Sequence, residues 1–395
     1  MTKSKTVFLI GGYLFVIVLL LLYSYTQVDL GLTLTRWSPV WQGIQRFFQH
    51  IGYFNRPLST MYYLGIVAAM SVFYVFFLIL ALKRKIAGKN IWIIVCLVTV
   101  LLACAYNAFS YDLFNYIFDA KIITHYHESP YYHRALDYQG DPMLGFMHWT
   151  HRLYPYGPVW LALTVPLSFI GAQFFLLTFF LFKAAIAASY LGTVYFLGKI
   201  AEKITPEKKD FVILFFALNP LVIIEGVVSA HNDIVMMFFA LWAVFVLLEK
   251  KYLPAFLLLA LSIGIKFATV FLLPVFIYVM YFQIKKQHIN WEKVFIASLL
   301  LMLIPVLFSS QRTEMQPWYL LWVLPFASLV SNLFVFPAII FSLALILHYV
   351  PFLYAGNWDP PIPAIKFWIT TAAAVLSGFF IAFNFFFNKK IKENK

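Results

Sequence analysis

The chain has 395 residues, of which 63% are hydrophobic and only 11% are charged. A soluble globular domain cannot shield so much apolar surface from water, so the composition excludes a soluble protein and indicates an integral membrane protein surrounded by lipids. The formal net charge is +13, but the basic residues are spread over short loops and form no single basic face. We therefore expect no nucleic-acid partner.

Long apolar runs recur from one end of the chain to the other. Runs of about 18 or more residues are long enough to cross a hydrocarbon core of about 30 Å as helices. The sequence therefore predicts an all-α fold, a polytopic transmembrane helical bundle of about twelve spans that forms one domain over residues 1–395. The predicted spans are 7–25, 61–82, 91–110, 157–172, 174–198, 211–229, 232–249, 253–283, 294–310, 318–330, 332–350 and 366–388.

Four basic clusters predict which side of the membrane each loop occupies. By the positive-inside rule the clusters are cytoplasmic, so both termini are expected in the cytoplasm of a multi-pass plasma-membrane protein. Counting crossings then puts loops 26–60, 110–156, 311–317 and 351–365 on the non-cytoplasmic face. The clusters are Lys3 with Lys5, Lys83-Arg84-Lys85 with Lys89, Lys285-Lys286 with Lys293, and Lys389-Lys390 with Lys392 and Lys395.

The middle of the chain fits this rule less well. Two spans within residues 157–198 would leave the lysine-rich loop 199–210 outside, which conflicts with the charge rule. Either this loop is an exception, or one neighbouring segment is a half-helix that does not cross. Asn219-Pro220 is a candidate helix break, because proline removes a backbone donor and restricts the residue before it. The sidedness of loop 199–210 and of the polar residues after the break stays open.

The loop 110–156 is too long for a simple connection between spans. Its apolar residues near 113–121 and 143–153 predict two amphipathic helices that lie at the membrane interface. Asp112 stands at the start of the loop, where it is either the cap of the following helix or a functional acid. Asp119, two helical turns later, is expected to be solvated or paired.

The same loop is rich in histidine. The spacing of these residues matches no closed set of metal ligands and the loop has no cysteine, so we predict no metal site and no cofactor, with a divalent cation left open. Aromatic and histidine side chains also suit stacking on sugars. The five residues are His125, His127, His133, His148 and His151.

A second polar group lies within or beside apolar spans, where ionisable side chains are costly and usually face a cavity or a partner. The alternatives are a polar cavity that contacts substrate and a network that only holds helices together. Lys266, in the middle of the predicted span 253–283, is a candidate partner for this group. Its members are Glu225, His231, Asn232 and Asp233.

Arginine offers a planar fork of donors that suits phosphate. Arg312 in loop 311–317 and Arg152 in loop 110–156 are therefore candidate ligands for a donor phosphate, with Lys266 as a third. Gln316 is a further polar cavity candidate. Trp318 and Tyr319, which follow it, are typical of an interfacial aromatic belt.

Several short motifs follow one another between residues 110 and 325. They are Asp112 after an apolar span, Ser129-Pro130-Tyr131, Tyr156-Gly157-Pro158, Asn219-Pro220 through His231-Asn232-Asp233, Lys266-Phe267, and Gln316-Pro317-Trp318-Tyr319-Leu320-Leu321-Trp322. In this order they resemble the motifs of the polyprenyl-phosphate-mannose-dependent mannosyltransferases of the GT-C glycosyltransferase superfamily.

The resemblance implies a GT-C-like enzyme that transfers a hexose, expected to be mannose, from a polyprenyl-phosphate-linked donor. The acceptor would be a glycolipid or glycan on the non-cytoplasmic face, and transfer would proceed with inversion and with Asp112 as general base. Two positions depart from the pattern, because Asp119-Ala120 replaces an expected glycine-basic pair and loop 311–317 has no histidine. Candidates for the acceptor side are Tyr111, Tyr131, Tyr156 and His148.

A competing hypothesis from another class is a membrane transporter or lipid flippase with an ion or proton relay through Glu225, His231, Asp233 and Lys266. Transporters often have paired halves with matching broken helices, and the sequence shows no such pairing. An inactive scaffold subunit is a third alternative. The presence of Asp112 and Arg312 argues against it.

Overall fold

The computed structural model describes residues 3–34 and 38–393, and within these ranges the chain is helical and has no strand. Lys395, from the predicted C-terminal basic cluster, lies outside the described residues. The first helices are α1 (Lys3–Ser24), α2 (Pro39–Gln49), α3 (Arg56–Leu82), α4 (Gly88–Ala103), α5 (Asp112–Thr124), α6 (Pro158–Gly171), α7 (Phe175–Ile204) and α8 (Lys209–Ala217).

The second half of the chain forms shorter and more interrupted helices. They are α9 (Pro220–Ile223), α10 (Asp233–Leu248), α11 (Tyr252–Ile265), α12 (Leu273–Ile284), α13 (Trp291–Thr313), α14 (Leu324–Ser328), α15 (Asn332–Ile346), α16 (Tyr349–Ala355) and α17 (Ile362–Glu393). Short 3₁₀ or π turns lie between them at Tyr25–Gln27, His50–Phe54, Ala135–Asp137, Pro142–Gly145, Pro206–Lys208, Ile224–Val228, Phe267–Leu272 and Pro317–Trp322.

The predicted count of about twelve spans is not confirmed. Within the described ranges, seven helices are long and apolar enough to cross a membrane, or eight if the bent pair Pro206–Ala217 and Pro220–Val228 forms one span. The two parts of that pair meet at an angle of 54° on either side of the predicted break. Four shorter apolar helices account for much of the difference: Gly88–Ala103, Pro158–Gly171, Asp233–Leu248 and Tyr252–Ile265.

The predicted span 253–283 is wrong as a single helix. The chain forms α11 up to Ile265, passes through an extended backbone conformation at Lys266, and continues as the 3₁₀ turn and α12. An extended residue cannot continue an α-helix. Lys266 therefore lies at a helix break, where its side chain is free to reach a cavity, and not in mid-span.

Helix α7 connects the two ends of the bundle. At the end that carries loop 110–156, here called the cavity end, Phe175 of α7 packs on Phe146 with ring centroids 5.3 Å apart. At the other end, here called the basic end, Lys203 of α7 forms an ion pair with Glu249. Thirty residues of α-helix extend about 45 Å, which is more than a hydrocarbon core requires.

Loop 199–210 shares the basic end with residues 83–88, because Gly88 lies close to Asp210. The two lysine-rich loops are thus on the same side of the bundle, as the charge rule requires. The conflict disappears because α6 begins and ends at the cavity end. Gly157, just before it, packs on Gly264 there, and Phe175, which follows it, packs on Phe146. Of the two alternatives, the half-helix accounts for the middle of the chain.

Helix α6 lies beside α5 and runs in the same direction. Trp160 packs on Tyr116 with ring centroids 5.2 Å apart, and near the other ends the hydroxyl groups of Ser168 and Thr124 are 2.9 Å apart. The apolar side chains of α5, including Phe114 and Phe118, are buried. Helix α5 is therefore covered by protein and is not confirmed as an interfacial helix.

The second predicted loop helix, near 143–153, is not confirmed either. The structure has a short turn at Pro142–Gly145 there, with Met143 and Met147 buried. A helix with an exposed apolar face does occur in the preceding loop, where Val40 and Phe47 of α2 point outwards. The apolar residues Val40, Ile44, Phe47 and Phe48 recur there at helical spacing, which is the sequence pattern of an amphipathic helix.

The bent pair ends in a buried π turn whose carbonyl groups need partners. Lys183 of α7, only 1% exposed, donates to the carbonyl oxygens of Val227 and Val228 at 2.5 and 2.8 Å. This contact ties the end of the broken segment to α7. It also fixes the position from which the chain enters the polar residues 231–233.

Candidate active site

A cavity of about 720 Å³ opens at the cavity end and is lined by residues that are far apart in the sequence. Its polar and charged lining is Asp112, Arg152, Lys266, Ser309, Arg312, Thr313, Glu314 and Gln316, and its aromatic lining is Trp149, Tyr156, Phe267, Phe271, Phe308, Trp318, Tyr319 and Trp322. Pro155, Ala268, Val270 and Pro305 complete it. Charged and aromatic groups thus line the same cavity, often side by side, as with Arg152 and Trp149.

Asp112 is the first residue of α5, and its carboxylate faces this cavity with 18% of the side chain exposed. Tyr111 occupies the N-cap position, and the backbone N–H of Asp112 donates to the Ser110 hydroxyl at 3.2 Å. The Asp112 side chain is thus not the cap of the helix. The capping interpretation does not account for this residue.

His231 lies behind Asp112 and is fully buried. Its Nδ1 atom is 3.4 Å from Oδ2 of Asp112, and its Nε2 atom is 3.2 Å from Oε2 of Glu225. The hydroxyl of Tyr349 donates to Oε1 of Glu225 at 2.8 Å. The ring of His231 also stacks on Trp318, with centroids 4.3 Å apart. Asp112, His231, Glu225 and Tyr349 thus form a row. Together with Trp318 it joins α5, the π turn Ile224–Val228, the 3₁₀ turn Pro317–Trp322 and α16.

Asp233 and Lys266 form a second pair at the wall of the cavity. The ammonium group of Lys266 lies 2.8 and 2.7 Å from the two carboxylate oxygens of Asp233, and the indole N–H of Trp322 donates to Oδ1 at 2.6 Å. Asp233 is fully buried, whereas the Lys266 side chain is 20% exposed. A buried carboxylate is costly without partners, and both partners here are close.

Close backbone packing brings the exit of loop 110–156 to Lys266. The N–H of Gly157 donates to the carbonyl oxygen of Ile265 at 3.0 Å. A Cβ atom at position 157 would lie 2.2 Å from the carbonyl oxygen of Gly264, so only glycine fits there. As a result the ammonium group of Lys266 lies 5.5 Å from the centre of the Tyr156 ring.

Arg152 and Arg312 have no carboxylate partner within residues 3–34 and 38–393. The guanidinium group of Arg152 lies 4.1 Å from the centre of the Trp149 ring, which holds it flat at the cavity wall. Both guanidinium groups therefore remain available to an anion. A phosphate is the ligand that a pair of arginines recognises best.

A smaller cavity of about 40 Å³ adjoins the first one at Asp112 and Arg152. Asn115 and Asp119 line it from α5, and the carboxylate of Asp119 makes no hydrogen bond or ion pair within the described part of the chain. Asp119 is thus neither fully solvated nor paired, contrary to expectation. Burial, with a smaller effect of the Asp112 charge, raises the pKa of Asp119 to about 8.

The pKa of Asp112 is shifted in the opposite direction from that of Asp119. Burial opposes its ionisation, but the contact with His231 and the positive charges of Lys266 and Arg152 outweigh burial and lower the pKa of Asp112 below its ordinary value. Asp112 is therefore ionised at neutral pH. Two acids on one helix face thus differ in protonation state.

The other predicted site residues divide between the cavity and its surroundings. Gln316 lines the cavity, with its amide 3.4 Å from Glu314. Asn232 is buried and accepts a hydrogen bond from the Tyr116 hydroxyl at 3.3 Å, so it supports the wall from behind.

Three of the four acceptor candidates do not line either cavity that contains Asp112. Tyr111 stacks on His148 with ring centroids 3.7 Å apart, and its hydroxyl donates to Asp29 at 3.4 Å. Tyr131 packs edge-on against Tyr154. Only Tyr156 lines the cavities. The reason is that the loop folds onto itself, so neighbours in sequence point in different directions.

Several residues of the site were not among the site residues predicted from the sequence. Tyr349, which contacts Glu225, is one tyrosine among 24. Trp322 and Tyr319 have the composition of an aromatic belt, but they are buried and line the cavity. Within the described residues no group of three or more histidine, cysteine, aspartate or glutamate side chains is placed to hold a metal ion.

Comparison with known proteins gives one positive result. The model of a family described as alpha-(1->6)-mannopyranosyltransferase, N-terminal domain, matches residues 15–282. The match begins within α1, covers α2 to α11 and most of α12, and includes Asp112, Arg152, His231 and Lys266. Comparisons with curated proteins and with solved structures give no significant match.

Proposed function

The chain belongs to the alpha-(1->6)-mannopyranosyltransferase family, a GT-C family of membrane glycosyltransferases, and from this premise we propose how its cavity works. We propose that the protein transfers mannose from a polyprenyl phosphate to a glycan or glycolipid acceptor, with Asp112 as general base. The observation that carries the proposal is the cavity itself, which is lined by the carboxylate of Asp112 and by two arginines that have no carboxylate partner among the described residues.

The proposed reaction uses each of these groups once. Asp112 accepts the proton of the acceptor hydroxyl, and the oxygen electron pair forms the new bond to the anomeric carbon of mannose. The bond from that carbon to the phosphate oxygen breaks, and its electron pair leaves with the polyprenyl phosphate. Attack from the face opposite the leaving group inverts the anomeric carbon.

Arg152 and Arg312 would stabilise the charge that develops on the departing phosphate. Lys266 is a weaker candidate for this role, because its ammonium group is already shared with both oxygens of Asp233. The main effect of Lys266 would be to keep Asp233 in place at the wall of the cavity. Gln316 at the rim offers an uncharged donor to a sugar hydroxyl.

The lipid part of the donor would leave the cavity along α12. An apolar groove of about 710 Å³ lies on the outer face of this helix and shares Val270 and Phe271 with the main cavity. It continues past Ile277 to Tyr281, toward the basic end. A chain of isoprene units fits such a groove, whereas a nucleotide sugar has no long apolar group that would fill it.

The proposed orientation places the cavity end on the non-cytoplasmic face of the plasma membrane and both termini in the cytoplasm. It is supported by the position of loops 83–88 and 199–210, which share the basic end. The positive-inside rule assigns that end to the cytoplasm. Donors on this face would have to be lipid-linked, because nucleotide sugars are made in the cytoplasm.

The family assignment favours a glycosyltransferase over the transporter or lipid flippase considered above. The residues of the hypothetical relay also do not form one path. Asp233 and Lys266 pair with each other, whereas Glu225 and His231 belong to the row behind Asp112. No observation favours a second function.

The proposal is tested with purified protein, polyprenyl phosphate mannose and a mannose-containing glycolipid. Asp112→Asn and Asp112→Ala are expected to lower turnover by about 10² to 10⁴-fold, the usual contribution of a general base, while the thermal unfolding temperature stays near that of the wild type. Tyr131→Phe, outside the cavity, serves as the control. Wild-type turnover in both Asp112 variants would show that this residue is not the base.

A further inference from the structure

His231 does not line the substrate cavity, but other side chains lie against both of its ring nitrogens and one face of its ring. Carboxylates face both ring nitrogens, at 3.4 Å for Asp112 and 3.2 Å for Glu225. A neutral imidazole has only one N–H and can donate to only one of them. Neither ring nitrogen forms a hydrogen bond of good geometry within the described residues, so the carboxylates act on the ring through their charge. Both favour the doubly protonated, positively charged imidazolium.

The backbone around His231 is shaped to present the ring in this place. Ala230, fully buried, has φ +57°, a left-handed conformation that is unfavourable for a residue other than glycine. Just before it, the carbonyl groups of Val227 and Val228 are tied to Lys183. A strained residue between an anchored turn and a buried histidine is the kind of backbone found at functional sites.

Glu225 is in turn held at its other oxygen. The hydroxyl of Tyr349 donates to Oε1 at 2.8 Å, and both residues are fully or almost fully buried. Trp318 covers one face of the imidazole. The row Tyr349, Glu225, His231 and Asp112 thus runs from the protein interior to the cavity, with only its last member exposed to substrate.

We propose that His231 is a positioning residue for the base, held as a charged imidazolium by Glu225, and that it orients the Asp112 carboxylate toward the acceptor hydroxyl and keeps it ionised. This inference rests on the proposed function of Asp112. It adds a role for two buried residues that never touch the substrate. Because they act through Asp112, their loss affects turnover and its pH dependence more than donor binding.

The direction of the pH effect follows from the charges that face Asp112. His231, Lys266 and Arg152 favour its ionised form, whereas Asp119 on the same helix opposes it. Four tyrosines also lie close enough to interact with the Asp112 charge, namely Tyr116, Tyr156, Tyr319 and Tyr349. Glu225 and Asp233 lie beside His231 and Lys266, respectively. Removing His231 takes away one favourable charge, so the pKa of Asp112 rises and the acidic limb of the pH–rate profile moves to higher pH.

The experiment compares pH–rate profiles of purified His231→Gln, Glu225→Gln and wild-type protein with polyprenyl phosphate mannose and a mannose-containing acceptor. In His231→Gln we expect kcat to fall by about tenfold or more, but by less than in Asp112→Asn. The KM for the donor is expected to stay within about twofold. The acidic limb is expected to move up in pH, with a smaller shift in Glu225→Gln.

His348→Gln is the matched control. His348 is also a buried histidine, only 2% exposed, but its ring contacts the Thr370 hydroxyl at 3.0 Å and pairs with no carboxylate among the described side chains. We expect its acidic limb to coincide with that of the wild type. If His231→Gln does not fold, the isosteric Glu225→Gln decides the question by the same profile.

The outcomes separate the two proposals. If Asp112→Asn keeps wild-type turnover, the proposed base is wrong and the role of His231 falls with it. If Asp112→Asn is inactive while the folded His231→Gln and Glu225→Gln keep wild-type kcat and pH profile, only the positioning role is overturned. Lower stability with an unchanged profile would likewise show that the row is purely structural.

Discussion

Asp112 and Asp119 lie two turns apart on α5, and their surroundings separate their protonation states. Asp112 faces His231 at 3.4 Å and the charges of Lys266 and Arg152, which lower its pKa despite burial. Asp119 has no such neighbour, and burial together with Asp112 raises its pKa to about 8. At neutral pH one acid is a carboxylate and the other is a carboxylic acid, which can donate a hydrogen bond.

This difference predicts that activity falls at alkaline pH and that the ionisation of Asp119 causes the fall. Above about pH 8 Asp119 ionises, and its negative charge repels the anionic donor from the adjoining cavity. Asp119→Asn, which stays neutral, is expected to keep activity at pH 7 and to lose less activity between pH 7.5 and 9. The measurement is kcat/KM for the donor across that range, and an unchanged decline in the variant would contradict the assignment.

Asp119 is also expected to make the free energy of unfolding depend on pH. Because the pKa of Asp119 is raised on folding from its ordinary value of 3.8, its contribution to the free energy of unfolding is fully present below pH 3.8. The contribution is lost as pH rises toward 8. Asp119→Asn is therefore expected to unfold at a higher temperature than the wild type at pH 9, with a smaller difference at pH 5.

At the scale of elements, interrupted helices build the site. The bent pair Pro206–Ala217 and Pro220–Val228 delivers His231, and the break at Lys266 delivers the partner of Asp233. A broken helix exposes backbone groups that a membrane interior cannot satisfy. Lys183 and the close packing of Gly157 on Gly264 supply the missing partners.

Under the proposed function, the outer groove of α12 would hold the lipid part of the donor. Its outer groove is surrounded by lipid in any case, so an isoprene chain gains little by leaving the bilayer for it. The groove is therefore expected to align the chain and not to supply most of the affinity. Its continuity with the cavity through Val270 and Phe271 means that alignment determines where the phosphate arrives.

Filling this groove tests that role. Ile277, which is 49% exposed, lies in the middle of it. Ile277→Trp is expected to raise the KM several-fold for a long-chain donor and to leave a donor with two isoprene units almost unaffected. Val375→Trp, on the exposed face of α17, is the control. Equal effects of Ile277→Trp on both donors would exclude a chain-aligning groove.

At the scale of the whole molecule, α7 and the short α6 decide which loops share an end. Loop 199–210 lies beside residues 83–88, and His231 and Asp233 lie with Asp112 at the other end. The last helix is also tied to the cavity, because Lys366 of α17 lies 2.7 Å from Glu314 at the rim. The first and last thirds of the chain are also in contact, because the Tyr63 hydroxyl donates to the carbonyl oxygen of Ile346 at 2.9 Å.

Labelling of single cysteines in intact cells tests the proposed sidedness. In a background without Cys96 and Cys104, Gln311→Cys at the cavity end is expected to react with a membrane-impermeant thiol reagent. Lys203→Cys at the basic end is expected to react only after the membrane is made permeable. Both positions are exposed in the structure. The reverse pattern would place the cavity in the cytoplasm and contradict a lipid-linked donor on the outer face.

The sequence by itself determined the all-helical membrane fold, the family resemblance that the family match confirms, and the residues worth testing. These depend on composition and on short motifs, which are local properties. It did not determine the number of spans, because a 14-residue apolar helix and a crossing helix have similar composition and differ only in length and direction.

Only the tertiary structure decided that Asp112 meets His231, 119 positions away along the chain, and that Tyr349 ends the same row. It also decided that Tyr111, Tyr131 and His148 turn away from the cavity. The physical reason is that such contacts arise where helix breaks and helix packing bring distant segments together. Each break is stabilised by partners, such as Lys183, that the local sequence does not reveal.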